Sequence, residues 1–198
     1  MRRIFPLLGL LVFTMPHVAM AQRFQGLEIF GGYAYLKDNL SSTYSPFYLT
    51  ATPFGNDFGI NGWQASVTEN ATDWLGITQE FGGFYGTERL QGLDNHFSMF
   101  SILSGPRFSY PRLKGVTPFA HALFGYDQMT VSLPGTNLSA TSSSYAMALG
   151  GGMDVKISRH LALRLFQADY YLTRDFGSTQ NNLRFSAGVV LRFGGGGY

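Results

Sequence analysis

Hydrophobic and polar positions alternate along this chain with a period of two, and the last stretch does so most plainly. Phe185, Ala187, Val189, Leu191 and Phe193 share one face, with Arg184, Ser186, Gly188, Val190 and Arg192 on the other. Such alternation predicts a β-strand with one apolar side. Strand-like segments recur at Leu27–Leu36, Asn61–Thr68, Trp74–Tyr85, Phe97–Ser109, Thr117–Asp127, Tyr145–Val155, Leu161–Leu172 and Leu183–Phe193. None carries a sustained 3.6-residue apolar stripe, so an all-β chain is expected.

The faces differ in size as well as polarity. In the sixth segment Tyr145, Met147, Leu149, Met153 and Val155 oppose Ala146, Ala148, Gly150, Gly152 and Asp154. In the first, Leu27, Ile29, Tyr33 and Tyr35 oppose Glu28, Gly32 and Ala34. Large apolar residues facing outward and small ones inward suit a narrow barrel in lipid, whereas a soluble barrel reverses that preference. Two segments resist the pattern. Phe97–Leu103 fits either register. In the seventh, Leu161, Leu163 and Leu165 set a lipid face onto which Gln167 and Asp169 also fall, so the phase shifts at a bulge or the strand has left the hydrocarbon.

Connection lengths complete the pattern. Short turns are expected at Glu69–Asp73, Tyr110–Val116 and Lys156–His160, and longer loops after strands one, three, five and seven, the longest being Lys37–Ile60. Eight segments of about ten residues match the ~9–11 that a tilted membrane strand needs. Short turns at one end and long loops at the other put both termini on the periplasmic side. Strand count alone does not exclude a lipocalin-like soluble barrel.

The N-terminus bears on that choice. Arg2 and Arg3 precede the apolar run Ile4–Val12, and Ala19-Met20-Ala21 closes the segment. A charged start, an apolar core too short to span a bilayer and an A-x-A site predict a signal peptide over residues 1–21. Its removal takes away two arginines and leaves a formal charge of zero, so no basic excess points to nucleic acid. Cysteine is absent, which excludes disulfides and thiolate metal sites. Charged residues make up 13% against 16% aromatics, with 25 glycines, a balance suited to a girdled barrel rather than a soluble surface.

Taken together, Glu28-Ile29-Phe30-Gly31-Gly32-Tyr33-Ala34-Tyr35, Gly105-Pro106-Arg107-Phe108, Ala148-Leu149-Gly150-Gly151-Gly152-Met153-Asp154 and the final strand resemble the outer-membrane β-barrel domain family, the OmpA/OmpX-like small barrels of Gram-negative bacteria. The resemblance covers residues 24–193. It departs in the Gly-rich tail, residues 194–198, and in the lack of an appended periplasmic domain. It implies an eight-stranded antiparallel transmembrane β-barrel, residues 22–193, in the cell outer membrane. The spacing of Gly188, Leu191 and Phe193 resembles the C-terminal signal read by the outer-membrane assembly machinery. The family's members include structural proteins, adhesins and surface-protection factors, so the resemblance is specific for architecture and location rather than activity.

Parity turns Glu28, Glu80, Asp154, Arg164, Arg184 and Arg192 inward, with Arg107 beside them. An eight-stranded interior is just wide enough for side chains to fill, so these charges are expected to form an ion-paired plug; a gated ion conduit is the alternative. His96-Phe97-Ser98 resembles, locally, the His and Ser of outer-membrane lipid A deacylases, but hydrolysis also needs a carboxylate and an oxyanion hole. His121 and His160 lack metal-ligand spacing. Neither metal nor cofactor is expected. The Ser/Thr-rich stretches Ser41–Ser45 and Thr136–Ser144 read as exposed loops open to an extracellular ligand. The expected role is structural or surface-interacting, the partners being outer-membrane lipid, the assembly machinery and a loop-bound ligand. A small conduit and a lipid-modifying enzyme are the competing classes.

Overall fold

The computed structural model describes residues 25–38, 58–90, 93–132, 139–173 and 180–194. The Ser41–Ser45 stretch, residues 136–138 of the Thr136–Ser144 stretch, the last four residues and residues 1–24, which include the expected signal peptide, lie outside them. Eight strands follow in chain order: β1 (Gly26–Asp38), β2 (Phe58–Asn70), β3 (Leu75–Leu90), β4 (Leu93–Ser109), β5 (Val116–Ser132), β6 (Ser139–Lys156), β7 (Leu161–Thr173) and β8 (Gln180–Phe193). Each pairs antiparallel with its neighbours, and β1 pairs with β8 to close the barrel. Closure leaves no sheet edge, which lipid demands because it offers nothing to hydrogen-bond an unpaired backbone group. An even number of strands brings Gly26 and Phe193 to the same end, together with the turns at 71–74, 110–115 and 157–160. Gly115, at φ +75°, supplies the left-handed residue that the second of these turns needs.

The exterior is what the alternation predicts. Ile29, Ile77, Leu149, Leu163, Val189 and Leu191 form an exposed apolar band. Aromatic rings bound it on both sides. Toward the turn end Trp74 stacks on Phe108, centroids 6.1 Å apart, and toward the loop end Tyr126 meets Tyr145 at 4.9 Å. Such rings sit where hydrocarbon gives way to headgroups.

Both segments that resisted the pattern are resolved. In β4 Phe97, Met99, Ser101, Leu103 and Arg107 are buried in the lumen, while Phe100 and Phe108 are exposed outside. Hydrophobicity was ambiguous there because the upper lumen is itself apolar. In β7 the register shifts between Arg164 and Gln167, and Leu165 and Phe166 are both 52% exposed. This one-residue bulge returns Gln167 and Asp169 to the interior, where both are buried.

Two expectations about loops need correction. The connection after β3 is not long: the hairpin continues to Leu90 opposite Leu93, leaving residues 91–92. Ser139–Ser144 is the start of β6 rather than loop. Threonine is a good strand former, and Thr130 and Thr141 pair through their hydroxyls at 3.1 Å, so the ladder runs on into water. Among the described residues β3–β6, at 16–18 residues, thus make a tall wall, against the 13–14 described for each of the other four strands.

Candidate functional site in the barrel lumen

The inward face of every strand contributes to one polar network that fills the lower and middle lumen. At the turn end Glu28 lies opposite Arg192 across the β1–β8 closure, with Arg192 Nε 3.1 Å from Glu28 Oε1. Arg107 Nη1 reaches Glu28 Oε2 at 3.0 Å, and its Nη2 donates to Asp154 Oδ2 at 2.9 Å. Asp154, fully buried, also accepts from Arg164, Nε to Oδ1 at 2.8 Å and Nη2 to Oδ2 at 3.2 Å. Arg192 Nη2 stands 3.7 Å from the same carboxylate. One aspartate thus faces three guanidiniums.

A second cluster lies above it. Arg184 Nη2 bridges Glu80 Oε1 and Asp169 Oδ2, each at 2.6 Å. Gln64 donates to Glu80, and His121 Nε2 is 2.8 Å from Asp169 Oδ1. Gln167 joins the two clusters, accepting from Arg164 Nη1 at 2.7 Å and donating to Asp169 Oδ2 at 2.8 Å. Only the β7 bulge allows that link, since without it Gln167 and Asp169 would point into lipid.

Aromatic faces complete the setting. Arg107 and Arg164 lie 4.0 Å and 4.3 Å from the centre of the Phe119 ring, and Arg164 is 4.2 Å from that of Phe30. Arg184 stands 5.0 Å from Tyr171. Guanidiniums suit such positions because a weakly hydrated planar cation binds carboxylates edge-on and stacks face-on. Above the charges Leu36, Ile60, Phe84, Phe97, Met99, Leu103, Leu123, Met129 and Val131 form an apolar stopper toward the loop end.

The structure therefore brings together all seven predicted lumen residues: Glu28, Arg107, Asp154, Arg164 and Arg192 in one cluster, Glu80 and Arg184 in the other. It adds Gln64, His121, Gln167 and Asp169, and Asp127 higher up, which accepts from the Tyr171 hydroxyl at 3.3 Å. His121 and Asp127 share their inward face with Phe119 and Leu123, so no polar stripe marked them out in the sequence. Leu191 and Phe193 lie outside, toward lipid, whereas Gly188 sits at the closure opposite Gly32. A Cβ on Gly188 would come within 2.5 Å of the Gly32 Cα, so close strand approach alone calls for glycine there.

A closed, antiparallel eight-stranded barrel, apolar and aromatic-girdled outside and filled with ion pairs inside, defines a small transmembrane β-barrel. The chain belongs to the outer membrane protein β-barrel domain family, whose model matches residues 5–193, and it is an outer-membrane protein. Among solved structures, Neisserial surface protein A (NspA) is similar at 15% identity and a TM-score of 0.62, over 84% of this chain and 97% of that one. Ail, the attachment invasion locus protein of Yersinia pestis, whose structure was determined in complex with the heparin analogue sucrose octasulfate, is similar at 16% identity and a TM-score of 0.59, over 86% and 100%. OprG of Pseudomonas aeruginosa is similar at 13% identity and a TM-score of 0.55, over 89% and 99%. At these identities the likeness is one of fold. No curated protein matches the chain.

Proposed function

We propose that this protein is a surface-interaction protein of the outer membrane: a rigid, plugged barrel that displays its loop end to the exterior and performs neither transport nor catalysis. The filled lumen carries the reading. A solute crossing it would have to break a network in which Asp154 alone holds three guanidiniums, then pass an apolar stopper. Leaving one member of such a buried set unpaired costs several kcal/mol. The chemistry open to an external partner then lies at the loop end, in the connections 39–57, 133–138 and 174–179 and on the tall wall beside them. Both termini and the three short turns face the periplasm in this reading.

Replacing residues 44–52 and 133–138 by Gly/Ser segments tests the proposal. Cells carrying the replacement should keep normal outer-membrane levels but lose protein-dependent retention on surfaces coated with candidate extracellular ligands. Undiminished retention would remove the loops from the role. Ail's structure with a heparin analogue makes a sulfated polysaccharide a reasonable first coating.

A further inference from the structure

The tall wall carries a groove that the plugged-barrel reading leaves unused. It is about 360 Å³ and is lined by Tyr85, Thr87, His96, Ser98 and Ser132, with Gly86 and Phe97 at its base. The register explains why these residues meet. Tyr85 pairs with Ser98, Thr87 with His96, and His96 with Ser132, all on the outward face of β3, β4 and β5. Directly opposed side chains in an antiparallel sheet have Cβ atoms roughly 4.5–5.5 Å apart.

We propose that this groove binds a neutral pyranose ring, the sugar headgroup of a glycolipid in the surrounding leaflet. Tyr85, 60% exposed, offers an apolar ring face on which the C–H face of a sugar can stack. Around it stand three hydroxyls and an imidazole, groups that both donate and accept and so match vicinal sugar hydroxyls. The described lining, an aromatic ring face ringed by hydroxyls and an imidazole, matches the mixed apolar and hydroxyl faces of a sugar. The proposal gives the His-x-Ser pair a recognition role, its imidazole and hydroxyl meeting sugar hydroxyls.

Position identifies the source of the sugar. Phe100 lies one outward position below Ser98 on β4, and the Tyr126–Tyr145 pair marks the girdle on β5 and β6. Above that girdle the outward face turns to hydroxyls and amides, with Gln128 donating to Ser143 at 3.4 Å and Thr130 paired with Thr141. The groove thus opens where hydrocarbon ends, at the height of lipid headgroups. Placing a glycolipid there rests on the reading that the loop end faces outward.

The test uses the whole protein in nanodiscs, following the backbone amide NMR signals of His96, Ser98 and Ser132. A glycolipid with a single uncharged hexose headgroup, a monohexosyl diacylglycerol, should shift these signals saturably, and phosphatidylglycerol should not. Tyr85→Ala should weaken the binding roughly tenfold, the factor that ~1.4 kcal/mol represents, and Ser98→Val should weaken it in the same direction. Tyr145→Ala, on the same girdle but outside the groove, should leave it unchanged. Equal shifts with phosphatidylglycerol, shifts spread around the whole girdle, or indifference to Tyr85→Ala with Ser98→Val would each overturn the proposal. A nanodisc carries the glycolipid in both leaflets, so the result is independent of orientation in the cell, which protease access reads separately.

Discussion

Asp154→Asn should be the most damaging single change in the lumen. The carboxylate is fully buried and accepts from Arg107 and Arg164 at 2.8–3.2 Å, with Arg192 at 3.7 Å. An amide keeps the shape but removes the charge that offsets three cations, leaving Glu28 as the carboxylate nearest to Arg107 and Arg192. Breaking a buried pair costs ~3–5 kcal/mol because the surviving charge is left uncompensated; here Arg164, 3% exposed, loses its paired carboxylate, while Arg107, also 3% exposed, must share Glu28 with Arg192. A loss of about 4 kcal/mol is expected, on the order of a thousandfold in the folding equilibrium. Glu28→Gln is the internal comparison. Its side chain and that of Arg192 are 13% and 15% exposed at the open turn end, so water screens the loss, which should be nearer ~1–2 kcal/mol. Equilibrium urea unfolding in lipid vesicles measures both. Adding Arg164→Met to Asp154→Asn should cost less than Arg164→Met alone, because it removes a cation already stranded. A smaller effect for Asp154→Asn than for Glu28→Gln, or strict additivity of the Asp154 and Arg164 changes, would refute the network as described.

Other outcomes follow from the exterior. Phe193→Asp puts a charge on the lipid face of the last strand and should leave the chain degraded in the periplasm, while deletion of residues 194–198 should preserve assembly; immunoblots of outer-membrane fractions decide both. Trypsin added to intact cells should cut, if anywhere, at Lys37, Arg89 or Arg174, which lie at or just beyond the loop-end limits of β1, β3 and β7, and never at Arg112, Lys114, Lys156 or Arg159 near the turns. Cleavage at Lys156 in cells with a sealed outer membrane would invert the topology.

The architecture was legible because lipid forces it. A strand whose outer face meets hydrocarbon must alternate, and β1, β6 and β8 do so with few exceptions. Legibility failed where a second physical demand overrode alternation. Phe97, Met99 and Leu103 are apolar yet inward, because the loop end of the lumen is stoppered by hydrophobic side chains, and so β4 showed no preferred face. Gln167 and Asp169 are polar yet fell on the nominal lipid face, because strict alternation cannot register the extra residue in the β7 bulge. Six of the lumen charges, Glu28, Glu80, Asp154, Arg164, Arg184 and Arg192, were readable by parity, since a buried guanidinium requires a carboxylate within reach. His121 was not, because nothing in its own strand indicates that Asp169 waits opposite. Loop lengths misled for a third reason. Serine and threonine are as common in exposed loops as on the outer face of a strand above the membrane, so Ser139–Ser144 carried no signal to separate them.

Conductance of the purified protein in a planar lipid bilayer tests the plugged barrel most directly. The structure places paired charges and an apolar stopper in series across the lumen, so no unitary current steps are expected, with or without Glu80→Ala. Reproducible steps whose size changes on Glu80→Ala would mean that ions pass along the network, and the protein would then be a conduit rather than a sealed scaffold.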